Sequence, residues 1–384
     1  MTLSERPASP YYTDSHEAFR VTVRRFVEQE IASFVDEWDE AKGFPRELYK
    51  KAAAVGLLGL GFPEEYGGTP ADIFYAIIAA QELARAGSGG IAAGLMSHGI
   101  AMPPIARLGH EAMKRRVLPA VLAGEKISAL AITEPDGGSD VASLRTTARR
   151  VGDEYVVTGG KMFITSGMRA DFFTVAVRTG GPGMAGISLL LLERGMPGFT
   201  QTPLEKMGWW ASDTAALHFD EVRVPAENLI GGENQGFLGI MLNFNGERLG
   251  MAASCNGFSR VCLEESVRWA RQRVVFGKPL IAQQVIRHKL VDMAMRINAT
   301  QAYLESLAWR VQHGDSPVAD IAMLKNQATQ TMAFCASEAV QIHGGMGFMR
   351  GTKVERIYRE VKVNAIGGGA EEIMKELAAR QLRF

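Results

Sequence analysis

The chain has 384 residues, 47% hydrophobic and 22% charged, which is room for two to three domains with sizeable cores. Its 42 Lys and Arg balance 42 Asp and Glu, so there is no built-in field to hold nucleic acid, which needs clustered cations against phosphate, while self-association stays open. Three cysteines, Cys255, Cys262 and Cys335, form no CxxC pair, which argues against a disulfide framework or a zinc site and suits a reducing, cytoplasmic compartment.

The N-terminal stretch MTLSERPASPYYTDSHEAFR carries charges where a secretory leader needs an apolar core, so no leader is expected. From about Ser15 to Leu122 the pattern is helical. Phe19, Val23, Phe26, Val27 and Ile31 recur at threes and fours, which puts them on one helix face. Ala52 to Leu60 and Ala71 to Arg85 continue the pattern on either side of the breaker cluster Phe62 to Pro70. Gly87 to Ile105 is uncharged and rich in Gly and Ala but contains His98 and Pro103-Pro104, so it reads as a packed internal helix and not as a membrane span. His98 reads as a hydrogen-bonded packing residue.

From Ser128 to Gly232 the period changes. Glu154 to Thr165 (EYVVTGGKMFIT) reads as two short strands around a Gly159-Gly160 turn. Phe172 to Thr179, Ile187 to Glu193 and Ala215 to Pro225 are further strands, and their number and spacing predict a small barrel or sandwich. The helical period returns in Phe237 to Arg271, Gln283 to Gln312 and Pro317 to Ile342, with Pro317 suited to a first helical position; long segments of this kind predict a helix bundle.

Chemistry starts at Ala129 to Asp140 (ALAITEPDGGSD), where a strand over Leu130 to Thr133 runs into a loop of Pro135, Gly137, Gly138 and Ser139. Taken alone, this reads as a proline-glycine turn closed by Ser139 and Asp140. Further segments follow it: Lys161 to Gly167 (KMFITSG), Met207 to Thr214 (MGWWASDT), Arg271 to Gln284 (RQRVVFGKPLIAQQ) and Gln341 to Arg350 (QIHGGMGFMR). In this order and spacing the chain resembles the acyl-CoA dehydrogenase family over about residues 12–382. The resemblance implies an α+β, mostly α fold: an N-terminal helical domain (1–125), a middle β-barrel or sandwich domain (126–233) and a C-terminal four-helix bundle (234–384). These match the three zones above.

The resemblance implies FAD as cofactor and places Leu130, Ile132, Thr133, Gly138, Ser139, Phe163, Ile164 and Thr165 against it. A Thr133 hydroxyl there would bond the flavin N5 region and adjust its electronics. Phe163 stands where many members carry Trp; it keeps a flat apolar face without the indole N–H. Arg273, Phe276 and Gln284, with Gln341, Ile342 and Gly345, match positions that reach the FAD of a neighbouring subunit, Arg273 toward the pyrophosphate. Such contacts imply at least a dimer, and the resemblance implies a homotetramer built as a dimer of dimers. No G-x-G-x-x-G joins a strand to a helix, so a nicotinamide site is not expected, nor is a metal.

A thioester α proton is weakly acidic, so the reaction implied needs a carboxylate whose pKa burial raises toward neutrality. One branch of the family carries that base in a terminal Tyr-Glu-Gly-Thr loop, but in the matching stretch here, Tyr358 to Ile373, Gly368 holds the Glu place. The long-chain and isovaleryl-type branch draws it from a Glu-Arg-Leu segment of the bundle helix, and Asn243 to Gly250 (NFNGERLG) puts Glu247 there. The two departures are complementary, which makes Glu247 the expected base. Glu247 and Arg248 point about 100° apart on a helix and need not neutralise each other. Ser139, Asn245 and Arg248 are the implied substrate contacts, and the Gly368 N–H is an oxyanion donor beside a ribityl hydroxyl of FAD. Ala370 replaces a frequent Thr near the flavin, and Glu372 falls at a further FAD-contact position. The expected product is a trans-2-enoyl-CoA, as in fatty acid β-oxidation, with electron-transferring flavoprotein as acceptor. An oxidase-like enzyme using oxygen and a catalytically silent acyl-CoA-binding scaffold are the alternatives. The small residues Gly87 to Gly94 would leave room for a long or branched acyl tail.

Overall fold

A computed structural model describes residues 9–384; residues 1–8, part of the segment read above as no leader, lie outside the described residues. Eight helices come first: α1 (Asp14–Glu30), α2 (Val35–Glu40), α3 (Glu47–Ala54), α4 (Ile73–Leu83), α5 (Gly89–Leu95), α6 (His98–Ala101), α7 (Pro103–Leu108) and α8 (Glu111–Leu122). The strands are β1 (Ser128–Ala131), β2 (Thr147–Val151), β3 (Glu154–Thr165), β4 (Phe172–Arg178), β5 (Ile187–Glu193), β6 (Phe199–Pro203), β7 (Thr214–Pro225) and β8 (Leu229–Ile230). After them come α9 (Gly236–Gln272), the short pair β9 (Val274–Val275) and β10 (Lys278–Pro279), and α10 (Gln284–Gln312). The chain closes with α11 (Val318–His343), α12 (Gly345–Phe348), α13 (Lys353–Ile366) and α14 (Glu371–Leu382). The order helical, sheet, helical is the one the sequence predicts.

Contacts divide the chain into two units: one formed by the residues up to Glu37, Ala71–Ala92 and Arg248–Phe384, the other by Trp38–Pro70 and Ala93–Glu247. The second unit holds an eight-stranded sheet in the order β6-β7-β3-β2-β4-β5-β8, with β1 added in parallel to β4. β4 and β5 are buried along almost their whole length, which is why they read as continuous apolar runs without alternation. Met113, Val117, Leu118 and Val121 of α8 join Phe172, Ala176, Leu189 and Leu191 of these strands in one core. The first turns of α9 belong to it too, through Ile240 and the half-buried Phe237, Met241 and Phe244.

Three local expectations need correcting here. Gly159-Gly160 is not a turn: β3 is one twelve-residue strand, and the hairpin lies at Gly152-Asp153, where Val151 pairs with Glu154. Gly159 instead sits at a register shift with φ +139, so close to Thr146 that a Cβ would fall 2.8 Å from its Cα. Gly87 to Ile105 is not one helix but the short pieces α5, α6 and α7, the last starting at Pro103. Pro317 precedes the first helical residue of α11, Val318, as its N-cap.

In the first unit, α9, α10, α11 and α13 pool Phe258, Leu263, Met293, Leu304, Leu324, Met332 and Ile357 in one core, which α4 joins through Phe74 and Ile77. Cys255, Cys262 and Cys335 are buried thiols of this core. Burial pushes Cys255 and Cys335 up to about 12, so they behave as apolar fillers and not as nucleophiles.

Candidate active site

In the sheet unit, β1 ends beside β3. Met162 N–H donates to Thr133 O at 2.8 Å, which lays Ile132 and Thr133 along the strand that carries Phe163, Ile164 and Thr165. The chain then reverses through Glu134-Pro135-Asp136-Gly137, with reciprocal Glu134 N–Gly137 O and Gly137 N–Glu134 O bonds of 3.0 and 3.2 Å. Gly138 and Ser139 follow, exposed, while Leu130, Ile132 and Thr133 are half-buried. A Cβ on Gly138 would stand 3.4 Å from Thr133 Cγ2, an ordinary contact, so the loop lies against the threonine.

β3 loses its ladder register to β7 between Lys161 and Ile164, so Met162 and Phe163 form a bulge. Phe163 has φ +63 and is 67% exposed; Ser166 has φ +61. A bulky residue in the left-handed region, with its ring in the open, is backbone strain of the kind that collects at functional sites. Ile164 is a core residue 3% exposed, so only its backbone is available to a ligand, and Thr165 is half-buried. A groove of about 410 Å³ runs past this edge, lined among others by Pro135, Gly160, Met162, Ala216 and His218. Asn245 and Glu247 are half-buried on α9.

Two residues that sequence reasoning did not single out organise this edge. Lys161, with a wholly buried side chain, donates to Glu134 Oε1 at 2.7 Å and Ile132 O at 3.0 Å. Glu134 also accepts from the Thr146 N–H (2.9 Å) and the Arg145 N–H (2.6 Å). Burial lowers Lys161 to about 8 against the pull of Glu134. For Glu134 burial pushes upward, but the Lys161 charge and the amide bonds outweigh it and leave the carboxyl below its ordinary value. The available signal was parity: Tyr155, Val157 and Lys161 share the inward side of β3, where a lysine needs a partner.

In the helical unit, the Gly367–Ala370 loop between α13 and α14 is held by its carbonyls. The buried Arg248 donates Nε–H to Gly368 O at 3.2 Å, and Lys325 Nζ donates to Gly369 O at 2.8 Å and Ala365 O at 3.3 Å. Gly368 (φ +64) and Gly369 (φ +104) both need the left-handed freedom of glycine. Ala370 is the N-cap of α14 and has no side chain to cap it; Glu372 is exposed on the first turn. Arg273, Phe276 and Gln284 surround an exposed β9–β10 hairpin whose tip, Phe276 (φ +50) and Gly277 (φ +76), leaves the Phe276 ring 97% exposed. Gln341 and Gly345 are exposed, whereas Ile342 is a core residue 4% exposed. His343 stacks on Trp269 and bonds Ala339 O, as a packing residue does.

Of the glycines read as room for an acyl tail, Gly87 and Gly94 are closely packed. In the helical unit a Cβ on Gly87 would meet Lys353 Cγ at 2.8 Å; in the sheet unit one on Gly94 would meet the Phe44 ring at 2.9 Å. The α13 side chains Lys353, Arg356 and Glu360 also bond Arg85 O, Gly87 O and Gly89 N–H, fixing the start of α5.

Three family models match the chain in series: the acyl-CoA dehydrogenase N-terminal domain over 13–125, the middle domain over 129–222 and the C-terminal domain over 234–383. The long-chain specific acyl-CoA dehydrogenase of Rattus norvegicus mitochondria is 36% identical over 375 residues, 97% of this chain and 87% of that protein. The chain belongs to the acyl-CoA dehydrogenase family. Among solved structures, an acyl-CoA dehydrogenase from Geobacillus kaustophilus is 36% identical, with a TM-score of 0.94 over 98% of this chain and all of that one. A glutaryl-CoA dehydrogenase from Mycobacterium smegmatis in complex with FADH2 is 28% identical, with a TM-score of 0.90 over 97% of this chain and 95% of that one.

The acyl-CoA dehydrogenase family uses FAD and its members are oxidoreductases. The residues present fit that cofactor: an exposed aromatic ring on a strained bulge, a half-buried threonine two residues past the end of β1, which stops at Ala131 and not at the expected Thr133, and a glycine loop lying against that threonine. Among the described residues no group of His, Cys, Asp and Glu could hold a metal ion, and no helix is long and apolar enough to cross a membrane.

Proposed function

We propose that this acyl-CoA dehydrogenase removes hydrogen from the α and β carbons of an acyl thioester to give a trans-2-enoyl-CoA, with Glu247 as the base. The observation that carries the reading is the state of the terminal loop. Gly368, without a side chain and with φ +64, stands where one branch of the family has its carboxylate, and its carbonyl accepts from Arg248, the neighbour of Glu247 on α9.

Glu247 takes the α proton from a half-buried position on α9. Gly368 N–H stabilises charge growing on the thioester oxygen, a contribution of roughly 3–4 kcal/mol for such a donor. Asn245, Arg248 and Ser139 orient the CoA thioester. FAD, when bound, supplies the acceptor for the β hydrogen. Leu130, Ile132, Thr133, Gly138, Ser139, Phe163, Ile164 and Thr165 hold its ring, with Ala370 and Glu372 near it. Arg273, Phe276, Gln284, Gln341, Ile342 and Gly345 reach the FAD of a second subunit. In support of that assembly, Phe276, Phe348, Met349 and Met346 stand 97, 84, 57 and 49% exposed on the isolated chain. The reading extends to domains at 1–125, 126–233 and 234–384, a cytoplasmic homotetramer working in fatty acid β-oxidation, and electron-transferring flavoprotein as acceptor.

The test is anaerobic mixing of the purified protein with butyryl-, octanoyl-, palmitoyl- and isovaleryl-CoA while following flavin absorbance at about 450 nm. At least one should bleach the flavin within the dead time to seconds. Absence of bleaching with all four would replace the enzyme by a silent acyl-CoA-binding scaffold, and faster turnover with oxygen than with an electron-accepting dye would make it an oxidase.

A further inference from the structure

The Lys161–Glu134 pair lies outside every role assigned above. It spans the two backbone segments that bear the proposed flavin contacts. Lys161 binds Ile132 O on one side of Thr133 and the Glu134 carboxylate on the other, at 3.0 and 2.7 Å. Lys161 is also the last residue of β3 in ladder register, opposite Leu217, before the bulge that turns Phe163 outward. Glu134 is fastened at its far oxygen to the Arg145 N–H at 2.6 Å, and Thr146 Oγ1 donates to Gly160 O at 3.1 Å, closing the set around β3. Thr133 and Phe163 thus hang from a single ion pair whose side chains are 0 and 5% exposed.

Stability alone does not account for a charge pair here. Well-packed apolar residues in place of a buried ion pair are often neutral or stabilising. What a fully satisfied buried network provides is a fixed geometry. Ammonium and carboxylate can each bind several partners at once, so one pair locks the carbonyl of Ile132, the turn after Thr133 and the strand before Phe163.

We propose that Lys161 and Glu134 are positioning residues of the flavin site, acting through Thr133: their ion pair sets where the Thr133 hydroxyl stands relative to the flavin ring and so helps set the flavin's redox potential. This rests on the reading that Thr133 faces the flavin.

The test uses the charge-neutral double variant Lys161→Met/Glu134→Gln, which removes no net charge and leaves an amide oxygen for the Thr146 N–H. Two quantities are read. One is amide hydrogen exchange at Met162 and Glu134 in the FAD-free protein; the other is the two-electron flavin potential of the FAD-loaded protein by dye equilibration, each with and without Thr133→Ala. Exchange at both amides should rise at least tenfold. The potential should move in the same direction as in Thr133→Ala, by at least a tenfold change in the reduction equilibrium, about 30 mV. In the Thr133→Ala background the pair's removal should move it by less than half as much. Wild-type exchange and potential in the double variant would overturn the proposal with the flavin reading intact, as would an equal shift in the Thr133→Ala background. A Thr133→Ala protein with unaltered potential and flavin spectrum would overturn the flavin reading and the proposal together.

Discussion

His98 offers a quantitative handle on the packing of the helices beside the sheet. It is 5% exposed, bonded to the backbone at Leu58 and Leu95, and lies 6.2 Å from the Phe62 ring. Burial lowers its pKa from 6.5 to about 4. Between those values the unfolded chain takes up a proton that the folded chain refuses. Stability present above pH 6.5 is therefore lost as pH falls. Linkage gives the loss as RT times the logarithm of the ratio of the two binding polynomials: about 2 kcal/mol by pH 5 and about 3 kcal/mol by pH 4. Replacing His98 by Gln keeps a hydrogen-bonding side chain and removes the titration. Urea unfolding of both proteins at pH 7, 6, 5 and 4 should show the wild type losing about 2 kcal/mol more than His98→Gln between pH 7 and 5. Parallel losses would mean that the imidazole takes up a proton in the folded state, and the buried neutral assignment would be wrong.

Ala370→Thr should cap α14 and raise unfolding free energy by about 1 kcal/mol, read as a higher urea midpoint; an unchanged midpoint would contradict the N-cap geometry. Gly94→Ala should cost about 1–3 kcal/mol because its Cβ meets Phe44, whereas Gly99→Ala, with nothing within 4 Å, should gain up to about 1 kcal/mol in the same melts. Phe276→Asn suits φ +50 better than Phe, so the hairpin should persist while sedimentation shows a smaller species and FAD washes out at least tenfold faster. A wild-type assembly with firmly held FAD would remove Phe276 from the subunit interface.

The long helices were legible because their burial follows a 3.6-residue period for many turns: α9, α10 and α11 begin and end within two residues of the expected limits. The strands β4 and β5 were legible as continuous apolar runs, and β7 by its alternation of buried Phe219, Val222 and Val224 with charged residues. β2 and β6 were not, since along TARRV only Ala148 is buried and along FTQTP only Phe199. Gly159-Gly160 misled because local turn chemistry cannot reveal Thr146, a tertiary neighbour thirteen positions earlier that needs the space. The same limit hid the Lys161–Glu134 pair: each residue is ordinary in its own segment, and only the strand order brings them to 2.7 Å. The run Gly87 to Gly94 looked roomy as a string of small side chains, yet Lys353 and Phe44 already occupy the space over its two ends.

Glu247→Gln tests the account most directly. Mixed anaerobically with the acyl-CoA that bleaches the wild type fastest, the variant should carry a full complement of FAD and fold as before, yet reduce its flavin about 10²–10⁴-fold more slowly. Reduction within tenfold of the wild-type rate would show that another group takes the α proton.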